Sequence, residues 1–358
     1  MNNSSIKVIE VDKIGSATSP LGLQKTIAIV GATESPRAGD VIVVRALTDS
    51  ATYNMLELPT GRLAKINPGD LLLGVLGQRR ALKGFVGNVP VSVYMGDELH
   101  LLNMGGVIGC CTGHHSSLGD AIKVEVIGLG CDENGRVINI GDAALPMLDS
   151  LGECAPLVII AGTSMNSGKT LAAAELIKQA TRAGLRVAAG KLSGVACLRD
   201  TLNMGDHGAI ATASFLDCGL PSTVDAGDLA PVAKAIIARL NECEPDLIVI
   251  EMGDGVLGGY SVESVFDDAE LRAATVANLF CAADYVGAWG GIELLARRGI
   301  RVDLIAGSVT DSQMGQDYIE REFGIPAANA RRNGKRLFEI VAARLSDRRE
   351  LPEACLTA

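Results

Sequence analysis

The chain is poor in aromatic residues: 3% of its 358 positions are Phe, Trp or Tyr, with one Trp and four His. It also lacks an excess of basic charge. Its 32 Lys and Arg stand against 42 Asp and Glu, a net charge of −10. No basic stretch is available to neutralise phosphates, which argues against nucleic acid as a main partner. The pairs Arg79-Arg80, Arg297-Arg298 and Arg331-Arg332 read as solvated helix ends. No apolar run approaches the ~18 residues of a membrane span, so no membrane partner is expected. The opening Met1-Asn2-Asn3-Ser4-Ser5 has neither the charged nor the apolar region of a signal peptide. The nine cysteines show no C-x-x-C spacing and no disulfide framework. An odd count without an export signal fits a reducing cytoplasm, the expected location.

What is abundant is small and apolar: 42 glycines, with 48% hydrophobic residues. That composition suits a globular enzyme-like chain, long enough for two domains. Residues 1–150 read as a β-rich domain, barrel- or sandwich-like, with a possible substrate-binding role. Short β-branched runs at 26–30, 41–44, 71–76, 91–94 and 122–127 are separated by turn signals such as Asn67-Pro68-Gly69-Asp70 and Asn134-Gly135. From 151 to 358 the pattern alternates. Strands are expected from Leu157 and at 185–189, 247–250, 285–288 and 302–306. Helices are expected near 208–216 and over 231–240, 270–281, 316–323 and 335–345. Wholly apolar strands between helices indicate an α/β fold with a doubly wound, mostly parallel sheet.

One stretch organises that second half. Leu157-Val158-Ile159-Ile160-Ala161 reads as a buried strand and Gly162-Thr163-Ser164-Met165-Asn166-Ser167 as a polar loop. Gly168-Lys169-Thr170 then opens a helix. Backbone N–H groups of such a loop, with the helix N-terminus, form a concave anion site. Lys169 is placed to reach terminal phosphates and the Thr170 hydroxyl to sit on Mg²⁺. The pattern departs from G-x-x-x-x-G-K-[ST], because the glycine lies at 162 and Thr163 fills the first-glycine slot.

Gly-Thr-x-x-x-x-Gly-Lys-Thr resembles the nucleotide loop of dethiobiotin synthetase and of the amidating cobyric and cobyrinic acid synthases. These belong to the P-loop branch (SIMIBI class) that includes MinD and the signal-recognition GTPases. The MinD type carries a second lysine five residues before Lys169, where this chain has Ser164. The resemblance covers about residues 156–330 and implies ATP and Mg²⁺ as cofactors. Within Gly190-Lys191-Leu192-Ser193-Gly194, Lys191 is similar to the synthetase's phosphate- and substrate-facing lysine. Leu192 stands in place of its proline, and Ser193 becomes a substrate candidate. Asp206, in a segment read as opening a helix, stands at the place of a Mg²⁺-binding aspartate, with Asp200 a second candidate. Glu251-Met252-Gly253-Asp254-Gly255 resembles a valine-glutamate-glycine-x-glycine element whose carboxylate holds Mg²⁺ at a strand end. Asp225 is undecided between helix capping and substrate.

In the first half, Gly109-Cys110-Cys111-Thr112-Gly113-His114-His115 reads as a glycine-flexed loop. It could lend His114 or His115 to a small-molecule substrate or to proton transfer. Adjacent thiols and imidazoles rarely meet one tetrahedral zinc ion. The implied activity is ligase- or kinase-type: γ-phosphoryl transfer to a carboxylate or carbamate, catalysed by Lys169, Lys191 and Glu251, in a homodimer. The alternative is an NTP-hydrolysing switch or metallocofactor-accessory protein. The guanine-specific [NT]-Lys-x-Asp signature is absent.

Overall fold

The computed structural model describes residues 6–49 and 52–346. The chain divides into two compact units. One comprises Met1–Pro146, Val195–Arg199 and Phe215–Val224; the other comprises Met147–Gly194, Asp200–Ser214 and Asp225–Ala358. The sequence suggests a single passage near residue 150. Instead, two later segments return to the first unit.

In the first unit five strands form a ring. Val41–Ala46 pairs with Leu71–Leu76, which pairs in parallel with Val107–His114. That strand pairs with Glu98–Asn103, which pairs with Lys123–Gly130, and the last closes on Val41–Ala46. Of the two β-rich forms expected, this is the barrel. Side chains two apart on these strands (Ile42 and Val44, Leu99 and Leu101, Val124 and Val126) fill one buried cluster, as a period-2 pattern with one covered face requires.

The segment read as a loop at 109–115 is mostly strand, ending at His114. Cys110 packs against the barrel cluster, whereas Cys111 packs with Phe85 and Leu102, so the two thiols face opposite ways. The imidazole Nδ1 of His114 lies 3.1 Å from the His115 carbonyl, and His115 Nδ1 lies 2.8 Å from Ser117 Oγ. Among the described residues no cluster of three or more His, Cys, Asp or Glu is placed to hold a metal ion.

The returning segment 195–199 is gripped by polar groups. Buried Glu57 accepts from Ser16 Oγ, from Cys197 Sγ at 3.1 Å and from the Leu198 N–H at 2.7 Å. Asn103 Nδ2 donates to the Ala196 carbonyl at 2.9 Å. A side chain at Gly105 would overlap that same carbonyl. Three donors on one carboxylate offset its desolvation.

The second unit contains six parallel strands: β1 (Leu157–Gly162), β2 (Val187–Lys191), β3 (Ala211–Ser214), β4 (Leu247–Glu251), β5 (Thr275–Cys281) and β6 (Leu304–Ala306). Their spatial order is β3-β2-β4-β1-β5-β6. The eight helices described there are α1 (Lys169–Arg182), α2 (Arg199–Asp206), α3 (Ala230–Asn241), α4 (Val262–Asp267), α5 (Ala269–Ala274), α6 (Tyr285–Ala296), α7 (Gln313–Phe323) and α8 (Gly334–Ser346). Val158 and Ile160 of β1 and Val187 and Ala189 of β2 pack with α1 and α8. Gly190, one residue on, turns toward Ile236 and Leu240 of α3. Both faces are therefore covered, which is why these strands read as continuous apolar runs. On α1, Ala172, Ala173, Leu176, Ile177 and Ala180 form the helical apolar stripe.

Three expected elements are corrected. Residues 211–214, expected to be helical, are β3, paired along their length with β2. The expected helix over 270–281 ends at Ala274 and becomes β5, paired with β1 on one side and β6 on the other. The run 285–288, read as a strand, is the first turn of α6. Asp284 caps it by accepting from the Gly287 N–H at 2.7 Å.

Candidate phosphate-binding site

The order β3-β2-β4-β1-β5-β6 reverses direction at β1: the chain moves to one side of it for β2 to β4 and to the other for β5 and β6. Ligands of open parallel sheets bind beyond the carboxyl ends of the strands at such a point. Between β1 and α1 runs the loop 163–168. Gly168 (φ 104°) caps α1 and Asn166 (φ 64°) is left-handed. A side chain at Gly162 would strike the Cys281 carbonyl and the Ser167 hydroxyl, so the glycine lets the loop turn tightly over β5. Gly307, just after β6 at φ 90°, presses on the Ser167 carbonyl and leaves no room for a Cβ.

Lys169 is the most revealing residue. It is 5% exposed. Its ammonium donates to the Ser164 carbonyl at 2.8 Å and lies 3.4 Å from Ser167 Oγ, and among the described residues it forms no ion pair. Burial, followed by repulsion from Lys191, pushes its pKa below the ordinary lysine range. Cys281, Glu251 and Asp254 only partly oppose that. A desolvated cation bonded only to neutral oxygens keeps its charge to offer to an anion.

Beside it the strand ends align. In the sheet register Glu251 is opposite both Ile160 and Lys191. The Thr170 hydroxyl donates to Glu251 Oε1 at 2.7 Å, and Lys191 Nζ reaches the same oxygen at 3.0 Å. Lys191 also pairs with Asp200. Burial alone would lower the Lys191 pKa, but Glu251 and Asp200 together outweigh it and raise the pKa above the ordinary lysine value. Glu251 is 1% exposed, and its second oxygen, Oε2, is buried with no hydrogen-bond partner, as is Thr163 Oγ1. A buried carboxylate oxygen left over beside a threonine hydroxyl is the donor chemistry of a hard divalent cation. Such a cation, in phosphoryl-transfer sites, takes one or two protein oxygens and completes its shell with phosphate and water. Mg²⁺ therefore fits Thr170 and Glu251.

The other expected site residues lie as follows. Asp206 is exposed on the last turn of α2, which the segment closes rather than opens; the carboxylate that meets Lys191 is Asp200, one turn or more earlier. Ser193 is fully buried. Its hydroxyl donates to the Gly253 carbonyl at 3.2 Å and accepts the Gly253 N–H at 2.8 Å, pinning the end of β4. Asp225 is exposed and left-handed (φ 52°), its N–H bonded to the Gly259 carbonyl at 3.1 Å. His114 and His115 belong to the first unit. Asp254 and Gly307, to which the sequence pattern assigns no role, also lie against the loop. The Gly-Asp-Gly after an apolar strand was the available signal.

No family model matches the chain, and no curated protein matches it. Solved structures similar to it include cell division protein FtsY of Thermotoga maritima, at 17% identity over 55% of this chain and 70% of that one, with a TM-score of 0.34. The signal recognition particle 54 kDa protein of Aeropyrum pernix in complex with GDP is 17% identical over 55% of this chain and 50% of that one, with a TM-score of 0.35. A DUF1611-family protein from Anabaena variabilis is 16% identical over 56% and 63%, with a TM-score of 0.37. None of these three is a dethiobiotin synthetase or cobyric acid synthase. Likeness at this level assigns no family.

Proposed function

We propose that the second unit binds a nucleoside triphosphate with Mg²⁺ on the loop Gly162–Thr170 and hydrolyses it. The observation that carries this is the buried Lys169 ammonium, lodged at the start of α1 with only neutral oxygens as partners. Loop N–H groups and Lys169 would bind the β- and γ-phosphates, and Thr170 and Glu251 would hold the cation. Mg²⁺, when bound, neutralises charge on the phosphates and leaving group. The chain's own part is to fix the phosphates and keep Lys169 desolvated, where its charge acts strongly. Water attacks the γ-phosphorus and loses a proton to solvent, the bond to the bridging oxygen breaks, and the diphosphate departs with that electron pair.

Transfer to a carboxylate or carbamate instead of water is the second reading. It rests on Lys191, a second ammonium beside Glu251 that could follow a departing phosphoryl group. Phosphate release should be measured from ATP and from GTP, each with Mg²⁺ and with and without a pool of small carboxylates and amines. Hydrolysis of either nucleotide without the pool supports the first reading, and release that appears only with the pool supports the second. No release under any condition, with no nucleotide binding, removes both.

A further inference from the structure

The segment after β4 runs alongside the phosphate loop. The Met252 N–H bonds the Ile160 carbonyl at 2.9 Å and the Val256 N–H bonds the Gly162 carbonyl at 3.0 Å. Between them, Gly253 is packed so tightly on Ser193, and Gly255 on the Thr163 carbonyl, that neither has room for a Cβ. Asp254, held between these two glycines, adopts φ 54°, a left-handed backbone that non-glycine residues seldom take. That backbone aims its carboxylate at the loop: the Met165 N–H donates to Asp254 Oδ1 at 3.3 Å. Asp254 is also one of the carboxylates whose charge is felt by Lys169. A carboxylate thus rests on a backbone donor of a loop shaped to receive phosphate oxygens.

We infer that Asp254 is a resident anion of the phosphate loop, occupying the Met165 donor until a phosphoryl oxygen displaces it. The inference rests on the phosphate-binding reading given above and deepens it. In the absence of nucleotide, Asp254 keeps the loop formed and offsets part of the cationic field. With nucleotide its charge opposes the incoming phosphates and has to swing away, so the site is self-blocked and selects for ligands charged enough to displace it. This differs from a metal ligand, whose removal would weaken binding only when Mg²⁺ is present. It differs also from a catalytic base, whose removal would slow turnover and leave affinity unchanged.

The test is calorimetric titration of the full chain with ADP and with GDP in EDTA, comparing wild type, Asp254→Ala, Asp254→Asn and Lys169→Met. Asp254→Ala should bind the preferred diphosphate about tenfold more tightly than wild type, a like-charge opposition having been removed. Asp254→Asn, which retains an acceptor oxygen without the charge, should lie between them and serves as the deciding variant should the alanine chain not fold. Equal or weaker metal-free binding by the folded variants overturns the resident-anion assignment while leaving the site itself standing. If wild type and Lys169→Met bind both diphosphates equally, or neither binds, the phosphate-loop reading falls and this inference with it.

Discussion

Replacing Lys169 with Met should move activity and stability in opposite directions. The ammonium is 5% exposed and unpaired with any carboxylate among the described residues. Exchanging buried ionic groups for apolar ones of similar volume typically stabilises by about 1–4 kcal/mol. Losing the hydrogen bond to Ser164 costs about 1 kcal/mol. The balance is a gain of about 0–3 kcal/mol, a rise of up to about 10 °C in the unfolding midpoint of a domain this size. Catalysis should fall by about 10²–10³-fold, the usual effect of deleting one transition-state charge contact. The pH dependence adds a signature. Because burial lowers the Lys169 pKa from 10.5, the unfolded chain binds more protons than the folded one between the lowered value and 10.5. Wild-type stability therefore climbs with pH through that window, and Lys169→Met should lack this part of the climb. Thermal unfolding by circular dichroism in nucleotide-free EDTA buffer, across pH 7 to 10, reads the stability; phosphate release reads the rate. A midpoint lowered by more than about 2 °C would show that Lys169 is compensated after all, and unimpaired turnover would remove its role on phosphate.

Glu251→Gln keeps the shape of the side chain but removes the charge beside Thr170. The Mg²⁺ concentration for half-maximal turnover should rise at least about tenfold, and an unchanged Mg²⁺ titration would make Glu251 structural. Lys191→Met leaves Asp200 and Glu251 facing one another without their shared cation. Urea unfolding should show a loss of about 3–5 kcal/mol, and a loss under 1 kcal/mol would mean that the pair is solvated. Gly307→Ala puts a methyl into the Ser167 carbonyl at a left-handed position, so nucleotide affinity should drop on the order of tenfold or more while the barrel's unfolding transition stays put. Wild-type affinity in that variant would show the loop able to give way.

Much of the second unit was legible because its sequence signals are local. The strand that begins at Leu157 and the Gly168-Lys169-Thr170 helix start lie where the pattern puts them, as does the strand closed by Glu251, although the first strand runs one residue further, to Gly162. Elements decided by distant partners were not legible. Thr275–Cys281 follows a short helix with no break signal, and its strand character comes from pairing with β1 and β6. Short apolar runs without such partners look alike in either state. Tyr285–Ala288 misleads the opposite way, through an aromatic and a β-branched residue at a helix start. Its helix is also glycine-rich, and of these glycines Gly291 admits the Phe280 ring. At the site, the lysines and Glu251 were marked by position after strands. Asp200 ahead of Asp206 was not, because which turn of α2 faces Lys191 depends on where the helix begins.

The grip of Glu57 and Asn103 on residues 195–199 bears on how the molecule comes into being. During synthesis the barrel strands are complete by residue 130, yet Glu57 has no Leu198 N–H to receive until the first two strands of the parallel sheet have also been made. A chain that stops before residue 197 would leave that carboxylate with Ser16 but without Cys197 and Leu198 as donors. A gene for the second unit alone, begun near residue 147, would inherit 195–199 and 215–224 with nothing to clasp them. Two units threaded in this way are expected to be acquired, lost and duplicated together, so a stand-alone relative of either should carry shortened chain at those two places.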